Sequence, residues 1–169
     1  LVMHDGITAL NHDNDGNKHI GAFCGCRFQG ELKLPANLLK ITNNCFSGCQ
    51  FSTIAEFPKG LIEIGDEAFW GCEFTSIVIP EGVTEIPNGA FEECNSLASI
   101  IIPKSVTKIG HRAFYNTSLS SVVIPESELT FEKIEAAPGE YRTLDFVRTL
   151  IKDMGLDAEA LRVSTFPRV

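Results

Sequence analysis

The sequence contains no long apolar run and few basic residues. None of its apolar stretches approaches the roughly 18 residues of a membrane-spanning helix. Lys and Arg together number 14 against 22 Asp and Glu, which gives a net charge of −8. Because phosphate backbones are bound mainly through Lys and Arg, this balance argues against nucleic acids and anionic membranes as partners. We expect neither nucleic-acid binding nor membrane insertion.

Short catalytic and cofactor-binding motifs are also missing. The sequence has no G-x-S-x-G, H-E-x-x-H, P-loop or G-x-G-x-x-G segment. A pair such as Cys24 with His19 is imaginable as nucleophile and base, but nothing in the sequence places a carboxylate or an oxyanion hole beside it. We therefore expect no enzymatic activity, no cofactor and no bound metal.

Targeting signals give no further guidance. The first residues show no signal peptide and no lipidation motif, and the chain opens with Leu1 instead of Met. We expect a mature or trimmed fragment, for which a missing signal peptide does not exclude an extracellular location.

What the sequence does contain is a repeat of 22 or 23 residues. Four columns recur in register, and chance does not produce such agreement. A fixed period of this length indicates a solenoid. The columns are Pro35, Pro58, Pro80, Pro103 and Pro125; Ile41, Ile64, Ile86 and Ile109; Phe23, Phe46, Phe69, Phe91 and Phe114; and Cys26, Cys49, Cys72 and Cys94.

Each repeat predicts two short extended segments and a corner. Apolar residues one and three positions before the proline, such as Ile79 and Ile77, form a period-2 pattern typical of a strand with one buried face. Proline then ends the hydrogen-bonded ladder. The isoleucine column predicts a second inward-facing segment, and A-F-x-x-C turns Phe and Cys into the core. Because one coil cannot bury its own apolar face, coils are expected to stack.

Six cysteines raise the alternative of a disulfide framework. The repeat favours reduced, buried cysteines instead, because four share one column and a fifth lies in a column of small residues. Cys24 alone lies in an outward column. The C-G-C segment at 24–26 is not the C-x-x-C of a structural zinc site. The column of small residues is Ala22, Cys45, Ala68, Ala90 and Ala113.

The repeat pattern x-x-I-x-I-P-x-x-V-T-x-I-G-x-x-A-F-x-x-C resembles the BspA-like, or Treponema-type, leucine-rich repeats. The segments Ser76–Cys94 and Ser99–Phe114 carry it best, and it covers about residues 18–126. The resemblance implies a leucine-rich-repeat solenoid, a right-handed curved superhelix of mostly β and irregular structure with a parallel β-sheet on its concave face. It also implies a cell-surface or secreted protein that adheres to host proteins or other cells. Thr117 in the cysteine column and Lys18 in the isoleucine column depart from the pattern.

Three segments are expected along the chain. Residues 1–22 form an irregular cap or degenerate first repeat, residues 23–126 the repeats, and residues 127–169 a C-terminal cap. An amphipathic helix is predicted at about 141–154, because Leu144, Val147, Ile151 and Met154 share one face. A solenoid end exposes an apolar ladder and a strand edge, which favours capping; the start of a further domain is the alternative.

The N-terminal segment includes N-H-D-N-D-G at 11–16, which is similar to a calcium loop. Position 12 of such a loop requires an acidic residue, and Ala22 occupies that position. The segment is interpreted as a polar turn, with a calcium site as the alternative.

The outward-facing residues of the strands supply a candidate binding surface. Val78, Ile101 and Val123 form an apolar stripe two residues before successive prolines, flanked by a serine ladder. Exposed adjacent apolar residues can mark an interaction site; the alternative is that β-branched residues are simply good strand formers. Trp70 and Tyr115, just after the phenylalanine column, are further candidates. The serine ladder is Ser76, Ser99 and Ser121.

Three functions compete on this basis. The first is a non-enzymatic protein-binding module, extracellular or on a cell surface, whose partner is a host extracellular-matrix protein or another cell surface. A structural spacer within a larger protein is the second. The third is a calcium-dependent or catalytic protein that uses the His- and Asp-rich N-terminus. For the location, the cytoplasm remains the alternative.

Overall fold

The protein is a β-solenoid of parallel strands. The computed structural model describes residues 7–10, 21–54, 56–123 and 162–164, and these residues contain strands and turns but no helix. The strands are β1 (Ala9–Leu10), β2 (Gln29–Leu32), β3 (Lys40–Ile41), β4 (Gln50–Ile54), β5 (Glu63–Ile64), β6 (Ser76–Val78), β7 (Glu85–Ile86), β8 (Ser99–Ile101), β9 (Lys108–Ile109), β10 (Ser121–Val123) and β11 (Arg162–Ser164).

Two rows of strands run along the solenoid. The first strand row, before the prolines, holds β2, β4, β6, β8, β10 and β11, and the second strand row holds β1, β3, β5, β7 and β9. All pairs are parallel, with Ile77 opposite Ile100 and Ile41 opposite Ile64. Within the described residues, both rows are interrupted at the same coil boundary, since β4 is not hydrogen-bonded to β6 as a strand pair, nor β5 to β7.

The core consists of the columns that the sequence predicts. The described members of the isoleucine column, such as Ile41 and Ile86, are buried, and so are the residues three positions before the prolines, such as Leu32 and Ile77. The phenylalanines stack face to face in one continuous series, with ring centroids 5.4 to 5.6 Å apart and interplanar angles of 3° to 9°. Such stacking on neighbouring coils is what holds a solenoid together.

A second aromatic column lies beside this stack and is missing from the sequence analysis. Phe51 meets Phe46 edge to face at 6.0 Å, and Phe74 meets Phe69 in the same way at 5.6 Å. Both Phe51 and Phe74 are fully buried. The later coils continue the column with aliphatic side chains. Its members are Phe28, Phe51, Phe74, Leu97 and Leu119.

The turns around the stacked phenylalanines form a third ladder. The amide N–H of each phenylalanine donates to the carbonyl of a small residue in the next coil, as from Phe69 to Ala90 at 3.0 Å. The residues two positions before and two positions after the phenylalanine have a left-handed backbone conformation. Glu67 and Gly71, with φ of 54° and 67°, are one such pair.

Polar side chains extend the turn ladder at the surface. The side-chain oxygens of Asn43, Asp66 and Asn88 each accept the backbone N–H of the next member of the column, ending at His111, at 2.9 to 3.0 Å. The sequence analysis did not identify this ladder. Each bond ties one coil to the next, so the column has a structural role.

Two expectations for the first coil were wrong. The isoleucine column begins with Leu10, which pairs with Ile41 and is buried, whereas the spacing pointed to Lys18. The chain therefore carries extra residues between β1 and the first turn, and these lie outside the described residues together with the 11–16 segment. Ala22 is exposed, although Cys45, Ala68 and Ala90 in its column are buried.

At the other end, the open edge of the first strand row is covered. β11 pairs with β10 in parallel, with Val163 opposite Val122. A strand here was not predicted, but it does what a cap must do at a sheet edge. The predicted helix at 141–154 lies outside the described residues.

Candidate functional site

The candidate stripe lies on the first strand row, where alternate residues face outward. Val78 is 58% exposed, the largest value among the exposed hydrophobic residues of the described chain, and Ser76 beside it is exposed as well. Ile101 and Ser99, one coil further on, are half-buried. The side chains of Val123 and Ser121 lie outside the described residues. The structure therefore brings Ser76, Val78, Ser99 and Ile101 together on one face.

A groove crosses this face at the interruption between β4 and β6. It has a volume of about 690 Å³ and an apolar floor and walls, in the size range of protein pockets that bind ligands. Val78 and Ile101 lie side by side in it. The groove was not predicted, because no pattern in the sequence indicates that β4 and β6 fail to pair. The residues that line it are Ile54, Glu56, Phe57, Lys59, Ser76, Ile77, Val78, Ile79, Pro80, Glu81, Ile101 and Pro103.

Three charged side chains border the groove. Glu56, Lys59 and Glu81 are all exposed, and carboxylates outnumber the ammonium group two to one. On the neighbouring coil, the Lys33 ammonium is within 3.2 Å of the Glu31 carboxylate, so that this pair adds little net charge. The groove thus combines an apolar centre with an acidic rim.

Trp70 and Tyr115 do not line the groove. Both lie on the turn side and are 39% exposed. The Arg112 guanidinium lies over the Tyr115 ring, 5.1 Å from its centroid, and 3.7 Å from the carboxylate of Glu92. Burial raises the pKa of Glu92, and Arg112 opposes that rise. The two aromatic residues therefore belong to a surface separate from the stripe.

A second pair of exposed apolar residues was not predicted from the sequence. Leu39 and Ile62, in neighbouring coils, are 42% and 52% exposed and lie next to the second strand row. The Ile62 N–H donates to the Leu39 carbonyl at 2.9 Å, so the pair is held in register. No groove residue belongs to this pair, which makes Ile62 a useful comparison for Val78.

All six cysteines are free thiols; Cys24 and Cys26 are half-buried, although burial was expected for Cys26, and the other four, Cys45, Cys49, Cys72 and Cys94, are buried in the core. The thiols of Cys49, Cys72 and Cys94 each donate to a phenylalanine carbonyl of the preceding coil, at 3.1 to 3.3 Å. Burial raises the pKa of Cys94 and Cys45 to about 12 and that of Cys49 to about 11. Because the thiolate is the nucleophile, these groups are unreactive at neutral pH.

Other chemistry has little support in the described part of the chain. No group of His, Cys, Asp and Glu side chains there is arranged to hold a metal ion. The same residues include no helix long and apolar enough to span a bilayer. His111 is exposed, and its backbone N–H is bound to Asn88. What the arrangement offers is a contact surface.

Comparison with known proteins agrees with this architecture. The family model described as "BspA type Leucine rich repeat region" matches residues 19–136 in six copies. No curated protein matches the chain significantly.

Two solved structures are similar to the chain. A leucine rich cell surface protein from Faecalibacterium prausnitzii is 24% identical over 82% of this chain, with a TM-score of 0.58, which shows the shared fold. A leucine-rich repeat protein from Bacteroides ovatus is 26% identical over 62% of this chain, with a TM-score of 0.41. The chain spans 32% and 39% of the length of these two proteins.

Proposed function

Since the chain belongs to the BspA-type leucine-rich repeat family, we propose that it is a non-enzymatic protein–protein interaction module that binds a partner protein through the first strand row. One observation carries the proposal: Val78, which is 58% exposed, lines an apolar groove. Water contact with such a surface is unfavourable, and contiguous exposed apolar patches are typical of interaction sites. Ile101, Ser76 and Ser99 extend the contact surface.

The proposal places the protein on a cell surface or outside the cell. The similar protein of F. prausnitzii is described as a cell surface protein. We propose an adhesin-type role in which the partner is a host extracellular-matrix protein or a protein of another cell. In the family's geometry, a right-handed curved superhelix, the first strand row would form the concave face and enclose the partner on several sides. Val123, Ser121, Trp70 and Tyr115 remain proposed contact residues.

A structural spacer is the second candidate. The chain spans 32% of the length of the F. prausnitzii protein, and a segment of such a protein can serve to hold another domain at a distance. A spacer needs stable stacking but no exposed groove. The exposure of Val78 therefore favours the interaction module.

The test compares two matched variants in one binding assay. The wild-type protein, Val78→Lys and Ile62→Lys are immobilised and exposed to a panel of purified extracellular-matrix and serum proteins. Val78→Lys places a charge in the groove, and Ile62→Lys places the same charge at a similarly exposed site elsewhere. Since neither side chain is buried, both variants are expected to fold, which a thermal-unfolding measurement verifies.

We expect the wild type and Ile62→Lys to capture the same protein, and Val78→Lys to lose at least tenfold in affinity, because burying an unpaired charge in an interface is costly. Capture by neither the wild type nor Ile62→Lys would favour the spacer. Ile101→Lys is a less specific reporter, because Ile101 is half-buried and its loss also affects packing.

A further inference from the structure

The charges around the groove restrict which protein segments it can accept. Glu56 and Val78 belong to neighbouring coils, each two residues before its proline, and both line the groove. Glu81 follows Pro80 at the other side of the groove. Within the described residues, neither carboxylate has an ion-pair partner within 4 Å, whereas Glu63 is paired with Lys40 at 2.6 Å. The rim therefore presents two carboxylates without an ion pair, although Glu81 has Lys59 and Lys104 at the equivalent positions of the coils before and after it.

From this arrangement we propose that the groove binds a basic–apolar segment, meaning an extended stretch of a partner protein with one large apolar side chain next to Lys or Arg. The apolar side chain lies on Val78 and Ile101, and the neighbouring cation lies beside Glu56 or Glu81. This inference rests on the proposed function and specifies the chemistry of the partner.

The separation of groove and rim fits the dimensions of such a segment. Adjacent residues of an extended chain are about 3.3 Å apart, and a Lys or Arg side chain extends several ångströms further. A cation next to the apolar anchor therefore reaches a carboxylate that is one coil away. Lys59, three residues after Glu56, disfavours a second cation, so the segment is expected to carry a single basic residue beside its apolar anchor.

Rim charges chiefly affect association rate and specificity. Exposed charges steer the encounter of two proteins, and salt weakens that steering within a Debye length of about 10 Å at 0.1 M. The net charge of −8 adds a long-range attraction for a basic segment. Discrimination between basic and acidic segments is therefore expected to decrease as salt concentration rises.

The experiment uses three synthetic fluorescent peptides and the full chain. All share one apolar core centred on Leu-Trp-Leu and differ in the flanking residues, which are Lys, Ser or Glu. Binding is followed by fluorescence anisotropy, and association rates by stopped flow, at about 0.05 M and about 0.5 M salt. We expect the Lys-flanked peptide to bind at least tenfold more tightly than the Glu-flanked peptide at low salt, and the difference to shrink at high salt.

Charge reversals at the rim give the direction of each effect. Glu56→Lys is expected to lower the affinity for the Lys-flanked peptide about three- to tenfold, chiefly by slowing association. Lys59→Glu is expected to strengthen it by a similar factor. Glu63→Lys, a charge reversal on the second strand row, is expected to leave the affinity for the Lys-flanked peptide unchanged apart from the small effect of net charge. All three side chains are exposed, so folding is not at issue.

The outcomes separate this inference from the function on which it rests. If all three peptides bind equally and Val78→Lys abolishes binding, the groove is an interaction site but the basic–apolar segment is wrong. Tighter binding of the Glu-flanked peptide overturns the inference in the same way. If no peptide binds and protein capture is insensitive to Val78→Lys, the proposed function fails as well.

Discussion

The coils of Phe46, Phe69, Phe91 and Phe114 place residues in the left-handed backbone conformation on either side of the stacked phenylalanine. The position two residues after the phenylalanine is glycine in the earlier coils and Glu93 and then Asn116 in the later ones, with φ of 61° and 53°. Side chains with a Cβ are disfavoured there by about 1–2 kcal/mol. At this position the later coils therefore contain a local cost that glycine avoids in the earlier coils. Two residues before the phenylalanine the order is different, with Asn44 and Glu67 in the earlier coils and Gly89 in the coil of Phe91.

A reciprocal pair of substitutions tests this cost. Gly71→Ala is expected to lower the free energy of unfolding by about 0.5–1 kcal/mol, since strain exceeds the gain from a stiffer unfolded chain. A Cβ at Gly71 has no atom closer than 4.0 Å, so steric overlap does not contribute. Glu93→Gly, at the same position one coil later, is expected to raise it by a similar amount. The measurement is urea unfolding followed by circular dichroism.

The sign of the two effects is the critical result. Glu93 also accepts a hydrogen bond from Asn116 at 2.8 Å, but the bond is exposed and its loss offsets little of the gain. Equal destabilisation by both substitutions would show that the turn side chains, and not backbone strain, determine the energy at this position.

At the scale of one turn, glycine serves a different purpose at the residue after the isoleucine column. A Cβ at Gly65 would lie 2.4 Å from the backbone nitrogen and 2.5 Å from the side-chain oxygen of Asn43, and Gly110 has the same relation to Asn88. Both Asn43 and Asn88 belong to the side-chain ladder of the turns. Because glycine has no Cβ, the coils can approach closely where these hydrogen bonds form.

Gly65→Ala is therefore expected to cost about 2–4 kcal/mol in unfolding free energy, because backbone atoms of the neighbouring coil must move apart. Gly60→Ala serves as the control, since a Cβ there meets the Leu39 side chain at 3.4 Å and no backbone atom. Its effect is expected to stay within about 0.5 kcal/mol. Chemical denaturation of both variants measures the difference, and equal effects would disprove close coil packing at Gly65.

For the whole molecule, the sequence predicts most of the core but not the groove. The isoleucine and phenylalanine columns lie between each proline and the next cysteine. They could be identified because this stretch has the same length in every repeat. The stretch from cysteine to proline varies by one residue, so Leu97 follows its cysteine by three positions where Phe74 follows by two. The second aromatic column recurs as regularly as the prolines, and it was missed because Leu97 and Leu119 replace phenylalanine in its later members.

The groove was missed for a different reason. Outward-facing residues can be identified from period 2, which correctly placed Val78 on an exposed face. Whether neighbouring strands pair or diverge depends on the packing of whole coils. β4 and β6 do not pair, whereas β6 and β8 do although their cysteine-to-proline stretches also differ by one residue, so the length of this stretch does not predict the interruption. Leu10 also could not be assigned to the isoleucine column from the sequence, because extra residues separate it from the first turn.

The interruption of both strand rows leaves two halves of the solenoid that are joined on the turn side and by two backbone hydrogen bonds next to the first strand row. In these bonds the N–H groups of Glu73 and Thr75 donate to the carbonyls of Phe51 and Ser52 at 3.0 and 3.3 Å. Across that boundary, Phe69 stacks on Phe91 at 5.5 Å with an interplanar angle of 3°, and the Gly71 N–H donates to the Glu92 carbonyl at 2.8 Å. At the preceding boundary, β2 pairs with β4 and β3 with β5, so strand pairing supports the phenylalanine stack. In a repeat protein, stability depends on such nearest-neighbour interfaces.

Phe91→Leu is accordingly expected to uncouple the two halves, whereas Phe46→Leu is not. Both rings are fully buried and stacked between two neighbours, and each substitution is expected to cost about 1–2 kcal/mol. Native-state hydrogen exchange measures the opening free energies of residues 29–64 and 76–109 separately. In Phe91→Leu these values should diverge, because the weakened stack crosses the boundary that lacks strand pairs. In Phe46→Leu the two opening free energies should fall together. If they fall in parallel in both variants, the solenoid unfolds as one unit despite its interrupted strand rows.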